Sequence, residues 1–196
     1  IGTHDIYIHG VKKLKGTTWR IIPDYLESGT MAIAAAASKS EFIINDFYAV
    51  DNQLLLFYFD LMNQKYEMVN ENRIRIIPSF DLQPIRVRTS FFPGFPTDLQ
   101  SPMAVLLTQC NGISSIYETI YENRLNYLTE LQKMGAKVAI LNANEAMVIG
   151  PTNFYGSKVL SFDIRSGMTL LLAAIMAEGK TELEHVDHID RGYSNI

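Results

Sequence analysis

The sequence predicts an α/β domain built of βαβαββ units and turned inside out, with its helices within and its sheets outside. Two observations carry that reading. One order of elements recurs three times along the chain, and the helices it contains have no polar face. Segment 20–46, RIIPDYLESGTMAIAAAASKSEFIIND, reads as a short strand, an aspartate near a helix start, a small apolar helix, a polar break and a second strand. Segments 89–119 and 159–186 repeat that order, with Asp24, Asp98 and Asp163 as the helix-start aspartates. A further helix start follows 26 to 28 positions later each time, from Asp24 to Asp51, from Asp98 to Arg124 and from Asp163 to Arg191. Helices 31–37 and 168–177 are apolar all round, and such a helix must be buried on all sides.

Taken in order, segments 5–9 and 18–22 are expected to be opening strands. Helix 31–37 follows, then a strand ending near Asp46, and then helix 53–63. The pair 66–69 with 73–77, joined by Asn and Glu turn residues, closes the first unit. In the second unit, helix 125–134 shows Leu125, Leu128, Leu131 and Met134 at threefold spacing, a single buried stripe, and leads into strands 138–141 and 146–149. The units span about 17–78, 84–151 and 158–196. The third stops early in its second helix, so the chain reads as a single incomplete domain, and its start at Ile1 suggests a piece of a longer protein.

With 47% hydrophobic and 19% charged residues, the 196-residue chain is long enough for one sizeable core. A net charge of −4 without a block of basic residues argues against a nucleic-acid partner. The longest nearly unbroken apolar run, 168–177, is half the length of about 20 residues that a membrane helix needs, so no membrane partner is expected. A single cysteine and no signal peptide point to the cytoplasm. Cys110, between Gln109 and Asn111 at a helix end, reads as a buried structural thiol. His185 and His188 flank Asp187 without a clear third ligand, so no metal is expected.

Chemistry is sought first in FFPGFPTDLQ, residues 91–100. Two prolines and a glycine prevent regular structure until Pro96, and Thr97 and Asp98 then supply a helix N-cap. By itself Asp98 reads as a cap, and Asp163 with Arg165 reads as a cap beside a solvated neighbour. What favours function is the company of Arg124, Arg165 and Arg191 at equivalent points of later units.

PGFPTDLQ, ETIYENR, DIRSG and HIDRGY, in this order and spacing, resemble the bacterial UDP-N-acetylglucosamine 1-carboxyvinyltransferases, enolpyruvyl transferases of peptidoglycan synthesis. The likeness covers nearly the whole chain. It implies the fold of the enolpyruvyl transferases (EPSP-synthase-like): two inside-out domains of three βαβαββ units each, with the active site between them. This chain then corresponds to most of one domain, without the last helix and strands or the partner domain. The implied reaction moves the enolpyruvyl group of phosphoenolpyruvate to the 3′-hydroxyl of UDP-N-acetylglucosamine, with no cofactor. The related shikimate-pathway transferase shares the fold but lacks the PGFPTD and ENR signatures.

The resemblance places Asp98 as the base near the sugar 3′-hydroxyl and Asp163 as a second carboxylate of the site. Arg191 matches an arginine that closes on phosphoenolpyruvate. Arg124 and Arg165 match arginines lining the cleft, and the backbone at Ile120 matches a contact to the UDP-sugar. Three features depart from or fall outside the pattern. Tyr25 stands where an arginine is usual, DIRSG replaces the commoner DLRAS, and Cys110 is not the family's reactive cysteine, which lies on the other domain. A noncatalytic sugar-nucleotide-binding relative is the alternative reading. The general acid is expected outside this sequence, so the chain alone should not turn over.

Overall fold

A computed structural model describes residues 5–193. The first regular element is helix α1 (Tyr25–Ala37), started by Asp24, whose carboxylate accepts the Leu26 N–H at 2.8 Å. It ends at Ser38, whose hydroxyl donates back to the Ala34 carbonyl at 2.8 Å. Strand β1 (Phe42–Asn45), helix α2 (Gln53–Leu61) and strands β2 (Tyr66–Asn70) and β3 (Arg73–Ile76) follow. These strands form an antiparallel sheet in the order β1-β3-β2, with Ile76 opposite both Phe42 and Tyr66.

The second unit shows the βαβαββ order in full: β4 (Arg86–Arg88), α3 (Thr97–Leu107), β5 (Ile113–Tyr117), α4 (Tyr127–Lys133), β6 (Lys137–Ile140) and β7 (Glu145–Ile149). Its sheet runs β4-β5-β7-β6, parallel between β4 and β5 and antiparallel elsewhere. The third unit comprises β8 (Lys158–Leu160), α5 (Ile164–Met176), β9 (Glu182–Glu184) and the single turn α6 (Asp187–Asp190), and β8 pairs parallel with β9.

Helix α3 lies between α1 and α5, and every residue from Leu99 to Leu107 is buried. Full burial of each Leu, Val or Met side chain there is worth about 1.5–3 kcal/mol of transfer free energy, which is what keeps this helix at the centre. Close approach needs a small residue at Gly29 of α1, where a Cβ would stand 2.9 Å from Leu99 Cδ1. The sheets cover this helical layer. Ile74, Ile76, Ala146 and Val148 point inward with no exposure, while Arg73 and Met147, their alternates, face out. The threefold stripe of Leu125, Leu128, Leu131 and Met134 is buried, although the helix itself begins only at Tyr127.

The structure corrects four expectations. Segments 5–9 and 18–22 are not strands. They have no regular structure and Ile6 and Trp19 are over 80% exposed, because no strand of the described residues pairs with them. Helices α1 and α5 are not buried on all sides. Both pack on α3 but leave an apolar groove of about 320 Å³ between them, lined by Met31, Ala34, Phe42, Leu171 and Ile175, and Ile175 is 69% exposed. Asp190 and Arg191 do not open a helix but end α6. Asp98 does not cap α3. Pro96 holds the N-cap position and no side chain caps the helix there.

Candidate functional site

The carboxylate of Asp98, in the first turn of α3, is turned away from its own helix toward an arginine later in its own unit and one in the next. Its Oδ1 accepts Arg124 Nη2 at 2.6 Å and its Oδ2 accepts Arg165 Nη2 at 2.7 Å, while Arg165 Nε stands 2.7 Å from Oδ1 as an ion-pair contact. Arg165 therefore has two nitrogens against the two carboxylate oxygens. The cluster is half-buried, with side-chain exposures of 23% for Asp98, 14% for Arg124 and 36% for Arg165. Burial acts to raise the Asp98 pKa. The hydrogen bond from Arg165, its charge and the charge of Arg124 together outweigh burial and hold the carboxyl below the ordinary carboxylate range. Arg165 is raised in turn, its hydrogen bond to Asp98 outweighing burial.

Asp163 is the N-cap of α5. Its Oδ1 accepts the N–H groups of Arg165 and Ser166, each at 2.8 Å, and Ser166 Oγ accepts the Asp163 N–H at 2.8 Å to complete a capping box. Arg165 thus gives its backbone to one aspartate and its guanidinium to the other, which explains why the two sequence neighbours Asp163 and Arg165 act differently. Both line a pocket of about 390 Å³ with Ser101, Arg124, Asn126 and Tyr127. The buried Ser101 hydroxyl on this wall has no hydrogen-bond partner among the described residues. The N-terminus of α5 also faces the pocket, and its partial positive charge adds to that of the arginines.

Arg124 is held from three sides. Its Nη1 donates to Thr97 Oγ1 at 2.9 Å, its Nη2 meets Asp98, and its guanidinium carbon lies 4.9 Å from the centre of the Tyr121 ring. The Ile120 N–H is used within the protein, donated to Glu118 Oε1 at 2.8 Å. Arg191 is exposed after α6 and makes no ion pair among the described residues. Two residues later Tyr193 is buried, and its hydroxyl lies 3.1 Å from Thr30 Oγ1 on α1. Tyr25 packs edge-on to Phe92 at 6.3 Å, and its hydroxyl is shifted upward, first by burial and then by the charge of Asp98. Asp24 remains a cap on α1 outside the cluster.

A larger depression, about 1060 Å³, lies around Lys65, Tyr66 and Phe80 but contains none of these groups. Size alone is a poor guide here, because a ligand site needs convergent polar groups. Sequence reasoning missed Glu118 and Tyr193, and it read Thr97 only as a cap, whereas its hydroxyl links Glu118 to Arg124. For Glu118 a signal existed. In ISSIYE the alternation that turns Ser114 and Ile116 inward also turns Glu118 inward.

Helices inside and sheets outside, with an Asp–Arg–Arg cluster drawn from the second and third units, define the chain as an inside-out α/β domain. A family model described as EPSP synthase (3-phosphoshikimate 1-carboxyvinyltransferase) matches residues 1–196. The chain belongs to this EPSP synthase family. It is 42% identical over 195 residues to UDP-N-acetylglucosamine 1-carboxyvinyltransferase 2 of Geobacillus kaustophilus, covering 100% of this chain and 45% of that protein. It is 40% identical to the enzyme of the same name from Bacillus subtilis, at the same coverage. The chain thus spans a little under half the length of these relatives.

Among solved structures, the enolpyruvyl transferase NikO from Streptomyces tendae superposes with a TM-score of 0.79 at 24% identity, over 88% of this chain and 41% of that one. EPSP synthase from Acinetobacter baumannii superposes with a TM-score of 0.61 at 15% identity, over 90% of this chain and 44% of that one. At those identities both likenesses concern the fold alone.

Proposed function

We propose that this chain forms one wall of the active site of a UDP-N-acetylglucosamine 1-carboxyvinyltransferase, acting in the cytoplasm in peptidoglycan synthesis. In this reading it is one incomplete domain, with units near 17–78, 84–151 and 158–196, and the partner domain supplies the opposite wall. The observation that supports the reading most is the double grip of Arg124 and Arg165 on Asp98 beside a polar pocket. Relatives at 40–42% identity carry that enzyme name, which favours the sugar-nucleotide reaction over the shikimate one.

Transfer needs a base for the sugar 3′-hydroxyl proton, an acid for the methylene carbon of phosphoenolpyruvate, and cations for its phosphate and carboxylate. Asp98 is the base. A carboxylate held by two guanidiniums is a weak proton acceptor, so the arginines must be drawn off before it acts. Anionic substrate groups do this. As Arg124 and Arg165 turn toward phosphate or carboxylate, Asp98 loses its counter-charges and its basicity rises. Arg191, exposed at the end of α6, closes on phosphoenolpyruvate, the backbone at Ile120 contacts the UDP-sugar, and Asp163 holds the start of α5 and the Arg165 backbone in place. The acid lies outside this chain.

Phosphate release from phosphoenolpyruvate in the presence of UDP-N-acetylglucosamine is the test. In a full-length protein containing this sequence, Asp98→Ala is expected to lower kcat by about 10²–10⁴-fold, the usual worth of a general base. The isolated chain should show no steady release. A near-normal rate in the variant removes Asp98 from the role of base, and turnover by the isolated chain places the acid within it.

A further inference from the structure

Directly behind the Asp98 cluster lies a carboxylate that makes no direct ion pair among the described residues. Glu118 follows β5 and has no solvent exposure. Its Oε1 accepts Thr89 Oγ1 at 2.9 Å, the Ile120 N–H at 2.8 Å and the Tyr121 N–H at 3.3 Å, and its Oε2 accepts Thr97 Oγ1 at 2.7 Å. A buried carboxylate is tolerated only when its lone pairs are satisfied, and here four donors satisfy them.

The consequence runs through Thr97. A hydroxyl has one proton, and a carboxylate 2.7 Å away takes it, since an ionised carboxylate cannot donate in return. The remaining lone pairs of Thr97 Oγ1 then face Arg124 Nη1 at 2.9 Å. The other amino group of the same guanidinium meets Asp98 at 2.6 Å. The Tyr121 ring that lies against Arg124 is anchored by the same carboxylate through its backbone N–H.

We propose that Glu118 is a positioning residue: through the Thr97 hydroxyl and the 120–121 backbone it holds Arg124 on Asp98, and so sets the resting state of the candidate base. Its importance for catalysis rests on the function proposed above, but the geometry is independent of that reading and is tested without turnover.

The test is carboxyl titration of Asp98 by NMR in the 196-residue chain, followed in the parent, Glu118→Gln, Thr97→Val and Thr97→Ser. Arg165 and Arg124 are the charged groups that hold this carboxyl down, Tyr25 and Tyr193 lie within reach of its charge, and none of these substitutions removes any of them; Glu118→Gln also removes a negative charge behind Arg124, which alone would move Asp98 to lower pH, whereas the Thr97 variants leave every charge in place. Gln at 118 presents an amide donor as well as an acceptor. Where the donor meets Thr97, the hydroxyl turns and offers its proton to Arg124. Val at 97 removes the link altogether. Asp98 should titrate at higher pH in Glu118→Gln and Thr97→Val than in the parent, while Thr97→Ser, which keeps the hydroxyl, restores the parent value. Should Glu118→Gln fail to fold, the Val and Ser pair decides by itself. An unchanged Asp98 titration in folded Thr97→Val overturns the proposal, as does an upward shift in Thr97→Ser equal to that in Thr97→Val.

Discussion

Replacing Asp98 by Asn keeps the shape of the side chain and removes its charge, leaving Arg124 and Arg165 facing an amide. Three contacts of 2.6–2.7 Å are weakened together. A fully exposed ion pair contributes about 0–1 kcal/mol, whereas removing one partner of a buried pair costs about 3–5 kcal/mol. With Arg124 at 14% and Arg165 at 36% exposure the cluster lies between these limits, and a loss of about 1–3 kcal/mol is expected at neutral pH. In a chain of this length each kcal/mol lowers Tm by about 2–4 °C. The pH dependence follows from the lowered Asp98 pKa. A carboxyl with a depressed folded-state pKa contributes stability above its unfolded value of about 3.9, and loses that contribution as pH falls through the folded value. Urea unfolding followed by circular dichroism should therefore show a constant gap between parent and Asp98→Asn from pH 7 to 5 that narrows below about pH 4. A gap under about 0.5 kcal/mol at pH 7, the scale of a surface substitution, or a gap that does not change with pH, refutes the assignment of the cluster as a stabilising ion pair.

Two further outcomes are expected. Ser166→Ala removes one half of the capping box at the start of α5 and should cost about 0.5–2 kcal/mol in the same unfolding assay, and an unchanged midpoint would mean that the Asp163 carboxylate alone holds the turn. Cys110 is fully buried, and burial pushes its thiol up to about 12, so a thiol reagent at pH 8 should react with it only as the chain unfolds; rapid labelling of the folded chain would contradict its burial.

The sequence by itself determined the fold class, because its signals are local. The recurring order of elements and the wholly apolar runs are short-range patterns that mark helices packed against other elements, although how completely α1 and α5 are covered was not legible in them. The β2–β3 and β6–β7 pairs and the Leu125 stripe were legible for the same reason. Strands 5–9 and 18–22 were misread because alternation supplies only a propensity, while a strand exists only beside a partner.

The site divided along the same line. Asp98, Asp163, Arg124, Arg165 and Arg191 could be singled out by their equivalent places in the repeat. Which of the three aspartates would cap could not, since a cap and a salt bridge compete for the same carboxylate oxygens. Asp24 and Asp163 found only nearby backbone donors, and they cap. Asp98 lies two residues past the N-cap position held by Pro96, where Arg124 and Arg165, 26 and 67 positions further along the chain, both reach it, and bonds in which both partners are charged outweigh a bond to a neutral backbone N–H. The packing of α5 on α3 brings Arg165 to it and the segment between β5 and α4 brings Arg124, so the identity of the residues was local information and their pairing was tertiary.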